Sequence, residues 1–80
     1  MSSARYFVFS RGGEWIVALD GVPIGRHSSR SAALSSAIVM ADLMGSMRYD
    51  ADVMLESEGR PDLAWTYGTD PLPQRTEAAA

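Results

Sequence analysis

The sequence has no cysteine, no lysine and a single histidine, and none of its apolar runs is long enough to cross a membrane. Because cysteine is missing, neither a disulfide framework nor a thiolate metal site can stabilise the chain. His27 has no second histidine or cysteine with which to form a metal site or a proton relay, so a loop or surface position is expected for it. The net charge of -3 argues against nucleic-acid or membrane binding driven by bulk charge.

The start of the chain also lacks the charged and then apolar segments of a secretory signal, so we expect a cytoplasmic protein. Its 80 residues make one small domain, near the size at which a single hydrophobic core is only just sufficient. With disulfides excluded, self-association is the remaining common source of stability.

Charge is unevenly divided along the chain. Residues 1–48 contain five arginines and three acids, a balance of +2, whereas residues 49–80 contain two arginines and seven acids, a balance of -5. This asymmetry would allow two copies to meet head to tail, but the attraction would be weak and screened by salt.

The first half of the chain predicts a β-hairpin. Residues 5–10 and 14–19 are rich in aromatic and β-branched residues, and Gly12-Gly13 between them suits a two-residue turn. The hairpin is apolar on both faces, and one helix can cover only one of them. The resulting pairs are Ser10 with Trp15, Val8 with Val17 and Tyr6 with Leu19. The opposite face carries Phe7, Phe9, Ile16 and Ala18.

The remaining strand-like segments predict an edge and a second hairpin. Residues 22–26 are interrupted by Pro23 and Gly25, which indicates an irregular or edge segment. Residues 51–57 and 63–67 are predicted strands joined by a five-residue loop, 58–62. That loop length places the large apolar side chains on one face. Its expected pairs are Leu55 with Trp65 and Val53 with Tyr67.

Residues 29–45 are the single helix-length segment, with Ser29 as the N-cap and Gly45 as the left-handed C-terminal residue. A helix that is apolar most of the way round is usually buried, yet this chain is too short to surround one. We therefore expect a partner, most simply another copy; the alternative is that small and flexible apolar residues are tolerated on an exposed face. The expected core stripe is Leu34, Ala37, Ile38 and Ala41. The predicted partner interface is Val39, Met40, Leu43 and Met47.

These elements predict an α+β fold with a ββαββ plan, in which two β-hairpins form a sheet and one helix packs on one face. The expected domain comprises residues 5–69. Residues 1–4 are predicted to be a flexible N-terminus, and residues 70–80, with two prolines and little to bury, a flexible C-terminal tail.

Three features together resemble a family of short bacterial proteins known as a domain of unknown function with a ββαββ plan. They are Trp15-x-Val17 after a glycine turn, an alanine-rich helix, and a closing Tyr67-Gly68-Thr69-Asp70-Pro71. The resemblance covers about residues 6–73. It implies the fold and brings no established activity. The helix departs from the family, whose members usually carry charged residues where this chain has Val39, Met40, Leu43 and Met44.

The candidate chemical sites are few. Helix N-termini attract anions, so the residues where the helix begins form a possible anion or nucleic-acid contact, against the simpler role of serine capping. The acids at 50, 52, 56 and 58 lack the spacing of a calcium loop and indicate the wet face of a strand. No nucleophile with a base can be named, so we expect no enzyme and no cofactor. The anion contact consists of Arg26, Ser28, Ser29 and Arg30.

The predicted function is a small non-enzymatic protein-interaction module that acts as a homodimer. Its interface would be either the second face of the helix or the spare face of the first hairpin. One alternative is weak nucleic-acid binding through Arg5, Arg11, Arg26 and Arg30. Another is an inhibitor or adaptor that docks its acidic second half onto a basic partner.

Overall fold

The computed structural model describes residues 2–72, which form one five-stranded mixed sheet and one helix. The strand order is β3-β2-β1-β4-β5, with β1 and β4 parallel and the other neighbours antiparallel. This confirms the α+β class and the ββαββ-like plan, with the predicted edge segment added as a strand. The predicted tail from residue 73 onward and Met1 lie outside the described residues. The elements are β1 (Ser3–Arg11), β2 (Glu14–Leu19), β3 (Val22–His27), α1 (Arg30–Ser46), β4 (Asp50–Ser57) and β5 (Arg60–Thr66).

The first hairpin has the predicted register. Gly12 and Gly13 adopt φ values of 59° and 83°. A two-residue turn needs such positive values to match the twist of the strands on either side, and glycine reaches them without a steric penalty. The three predicted pairs are confirmed: Tyr6 with Leu19, Val8 with Val17 and Ser10 with Trp15.

The parallel pair at the centre of the sheet joins the two hairpins. The chain passes from the first hairpin to β4 through α1, because two parallel strands must be joined by a crossover and not by a tight turn. β1 begins at Ser3, two residues before the predicted start of the domain, and Ala4 is buried. The amide of Asp50 donates a hydrogen bond to the Ser2 carbonyl at 2.9 Å. The first residues of β1 are thus fixed by β4.

The turn of the second hairpin is shorter than the sequence predicts. Glu58 and Gly59 form it alone, with φ values of 55° and 81°, so that Ser57 pairs with Arg60. The glycine accommodates the left-handed conformation readily, whereas the glutamate adopts it against its intrinsic preference. The expected five-residue loop is therefore wrong.

The shorter turn changes the register of β5. A bulge then shifts the pairing so that Val53 lies opposite Trp65. The predicted pairs of Leu55 with Trp65 and Val53 with Tyr67 are wrong for this reason. The bulge keeps Trp65 on the helix side and turns Leu63 to the other face, opposite Met54.

The core lies between α1 and the sheet face that carries Tyr6, Val8 and Val17. Burial raises the pKa of the Tyr6 phenol, and the negative charge of Asp20 raises it further. The predicted core stripe of the helix is confirmed, with Leu34 partly buried and the other three fully buried. The buried core residues are Ala4, Tyr6, Val8, Val17, Ala33, Ala37, Ile38, Ala41, Ala51, Val53 and Trp65.

The two ends of the helix differ in how well the sequence predicts them. Ser29 is the N-cap, and its hydroxyl oxygen accepts a hydrogen bond from the amide of Ala32 at 3.2 Å. At the other end Gly45 is helical and buried, and the left-handed residue is Arg48 with φ 72°. The predicted role of Gly45 as the left-handed cap is wrong. A methyl group at Gly45 would overlap the ring of Tyr67, so its lack of a side chain serves packing.

Candidate interaction surfaces

Within residues 2–72 no element covers the sheet face that points away from α1. Residues opposite each other on neighbouring strands share a face, so the registers place one apolar row across all five strands. We call this row, with the apolar residues next to it, the apolar belt. The row is Pro23, Ala18, Phe7, Met54 and Leu63. The adjoining residues are Phe9, Ile16 and Ile24. Leu63, Ile24 and Pro23 are exposed at the two edges of the belt, Phe7, Phe9 and Met54 are half-buried, and their neighbours bury Ala18 and Ile16.

On one side of the belt the face is polar and mainly acidic. The guanidinium of Arg5 donates two hydrogen bonds to the carboxylate of Asp52, at 2.9 and 3.0 Å. That hydrogen bonding, together with the negative charge of Asp52, raises the pKa of Arg5. Asp20 and Asp50 line the same shallow depression.

On the other side of the belt both signs of charge are present. Arg26 pairs with Glu14 at 3.3 Å, and the Arg11 guanidinium lies 5.3 Å from the centre of the Phe9 ring. A carboxylate oxygen of Glu56 accepts a hydrogen bond from the amide of Ser10 at 3.2 Å. The face thus has an apolar centre and a charged rim, which is the usual composition of a protein–protein interface.

The helix carries a smaller apolar surface on its solvent side. Val39, Leu43 and Met47 are 62%, 59% and 53% exposed and form what we call the helix outer stripe. Met40, the fourth residue of the predicted interface, packs against the core. Three of the four predicted interface residues are therefore available to a partner.

Two residues of the predicted anion contact have partners within the chain. Arg26 is engaged with Glu14 on the rim of the apolar belt, and the Ser29 hydroxyl caps the helix. Ser28 and Arg30 are exposed beside it. Helix capping is therefore a sufficient role for the Ser29 hydroxyl.

The arginines proposed for nucleic-acid binding are dispersed. Arg5 lies at the polar end of the open sheet face, paired with Asp52, whereas Arg11 and Arg26 lie at the opposite end. Each end also carries carboxylates, which repel phosphate. Arg5 is therefore separated from Arg11 and Arg26 by the apolar belt.

Among residues 2–72 no three His, Asp or Glu side chains lie close enough to hold a metal ion. Nor does any helix of this region have the length and apolar character needed to span a membrane.

The Tyr67–Pro71 motif forms a corner after β5. The indole Nε1 of Trp65 donates to the carbonyl of Pro71 at 2.9 Å, and the amide of Thr66 donates to the Asp70 carboxylate at 2.9 Å. The Tyr67 ring lies against Gly45 of the helix. These contacts give the motif a structural role, because they fix the end of β5 to the helix. They also tie residues 70 and 71, the start of the predicted tail, to the sheet.

The sequence does not predict four residues of the apolar belt, namely Pro23, Ile24, Met54 and Leu63. Met54 stands between Asp52 and Glu56 on a strand face that the sequence presents as polar. The predicted five-residue loop places Leu63 on the other face, and the bulge in β5 that turns it to the belt leaves no clear sequence signal. The pairing of Met54 with both Phe7 and Leu63 is what extends the belt across β4 and β5.

No protein-family model matches the chain, and neither the curated proteins nor the solved structures contain a significant match to it. The resemblance to short bacterial proteins stays a prediction from the motif residues.

Proposed function

We propose that this protein is a non-enzymatic protein-interaction module that works as a homodimer. One observation carries the proposal: the sheet has a helix on one face and an apolar belt, with two phenylalanines, on the other. Sheets normally bury each apolar face against another layer. A second copy of the chain is the simplest layer, because it is present wherever the protein is.

The composition of the core supports the same conclusion. Alanine supplies five of the eleven core residues and valine three, so that Tyr6, Ile38 and Trp65 are the only larger side chains in this core cluster of the described residues. Small side chains bury little area, and hydrophobic stabilisation is proportional to the area buried. A domain of 80 residues with such a core gains much from an added interface.

The two alternatives have less support from the geometry. Nucleic-acid binding would need its arginines on one surface, and the ion pairs of Arg5 and Arg26 hold them at opposite ends of the sheet. Docking onto a basic partner would use Asp20, Asp50 and Asp52, of which Asp52 is already paired with Arg5.

Molar mass in solution tests the proposal. Size-exclusion chromatography with light scattering, over a series of protein concentrations, is expected to give twice the chain mass of 8.7 kDa at high micromolar concentration. The mass should fall toward that of one chain on dilution, as mass action requires. A constant monomer mass throughout the series would contradict the proposal. Binding to DNA or RNA at low salt would favour the nucleic-acid alternative instead.

A further inference from the structure

We infer that the second copy lies on the apolar belt rather than on the helix outer stripe, so that the dimer is a sandwich of two sheets with the helices outside. This inference rests on the proposed homodimer and specifies its surface. Two sheets in such a sandwich pack about 10 Å apart, with side chains of the two inner faces interdigitating.

The available area favours the sheet face. The described chain is a flat body with extents of 35 × 34 × 20 Å. Five strands spaced by about 4.8 Å, each about 20–30 Å long, present a face of about 400–700 Å² in projection. Each partner of a standard interface buries roughly 800 Å² of accessible surface, which a corrugated face of this projection approaches. The open sheet face is therefore large enough for a stable dimer.

The helix outer stripe is much smaller. From Val39 to Met47 it is about 12 Å long and no wider than a helix, about 10 Å, which gives about 120 Å² in projection. Even the whole outer side of the 17-residue helix, about 25 Å long and about 10 Å wide, gives only about 250 Å² in projection. An interface built there falls well below the range of specific complexes. The stripe matches the scattered apolar residues that ordinary surfaces carry.

The chemistry of the belt fits a copy of itself. Aromatic side chains at the centre of an interface contribute most of its binding energy, and Phe7 and Phe9 occupy the central strand of the sheet. The charges lie at the rim, where Arg5 pairs with Asp52 and Arg26 with Glu14. The belt of a second copy can pack against the first while these charges keep their partners. This avoids the free-energy cost of burying an unpaired charge.

Two matched substitutions separate the surfaces. Leu63 on the belt and Leu43 on the helix outer stripe are both 59% exposed, so Leu63→Glu and Leu43→Glu make the same change at the same exposure. We expect Leu63→Glu to raise the dimer dissociation constant about tenfold or more, because the carboxylate must lose water at the interface. Leu43→Glu should leave it within about threefold of the unchanged protein. Sedimentation velocity over a concentration series measures both, and far-ultraviolet circular dichroism checks folding.

Dissociation by Leu63→Glu alone supports the inference. Dissociation by Leu43→Glu alone, equal weakening by both, or no effect of either on an existing dimer would overturn it while the proposed homodimer stands. If the unchanged protein is monomeric, the proposed function fails as well. Should Leu63→Glu not fold, Ile24→Glu, at the opposite edge of the belt and 46% exposed, carries the same expectation.

Discussion

Replacing Trp65 with alanine is expected to lower the free energy of unfolding by about 3–5 kcal/mol. Trp65 is 4% exposed, contacts the core from β5 and donates its indole hydrogen to the Pro71 carbonyl. An 80-residue domain has a total stability of about 4–12 kcal/mol, so this loss is a large part of it. We expect β5 and the corner after it to be the first region to lose its structure.

Urea unfolding followed by circular dichroism measures the effect, and Trp15 remains as a fluorescence probe. Trp65→Phe is the matched control, because it keeps an aromatic ring in the core and removes the hydrogen bond. Its expected cost is about 1–2 kcal/mol, from the lost bond and the smaller ring. A cost below about 1 kcal/mol for Trp65→Ala would show that Trp65 does not anchor β5. Because a dimer unfolds in a concentration-dependent way, all variants are compared at equal concentration.

Gly45→Ala is expected to destabilise the protein by about 1–3 kcal/mol, although alanine is the better helix former by about 1 kcal/mol. The new methyl group would overlap the base of the Tyr67 ring. The ring could relieve this overlap only by giving up its contact with the helix. Steric overlap is thus expected to outweigh the gain in helix propensity. The same urea titration measures the loss.

A double-mutant cycle assigns the cause. In a Tyr67→Ala background the overlap is gone, so Gly45→Ala should become neutral or stabilising by up to about 1 kcal/mol. The coupling free energy between the two positions should therefore exceed about 1 kcal/mol. A stabilising effect of Gly45→Ala with Tyr67 present would contradict the packing described for this corner.

The contrast between the two hairpins shows what local sequence determines. Gly12-Gly13 specifies a two-residue turn, and the alternation on both sides then leaves one register. In the second hairpin the turn is Glu58-Gly59, a weaker signal, and a bulge follows in β5. A bulge depends on which side chain must reach the core, here Trp65, so its position requires knowledge of the tertiary structure.

Gly45 is a similar case. A glycine near the end of a helical pattern usually marks the left-handed residue that ends the helix, and this general rule predicts that role for Gly45. Its actual environment depends on Tyr67, which lies 22 positions later in the chain and reaches the helix through the corner after β5. Contacts between distant segments are not visible in a single sequence.

The candidate surfaces were predictable in part. The helix pattern correctly separates a core stripe from Val39, Leu43 and Met47, and the first hairpin correctly places Phe7 and Phe9 on one face with Ile16 and Ala18. The choice of which hairpin face meets the helix depends on the parallel pairing of β1 with β4, which no local pattern specifies. The extension of the apolar belt to Met54 and Leu63 follows from that pairing and from the bulge.

Labelling of single cysteines gives the most direct test of whether a second copy covers the apolar belt. The chain has no cysteine, so Met54→Cys reports on the belt and Val39→Cys on the helix outer stripe without background. As protein concentration rises into the range where the mass doubles, maleimide labelling of Met54→Cys should slow about tenfold, following the falling monomer fraction. Labelling of Val39→Cys should keep its rate. Protection of Val39→Cys with free labelling of Met54→Cys would show that the second copy lies on the helix outer stripe and not on the apolar belt.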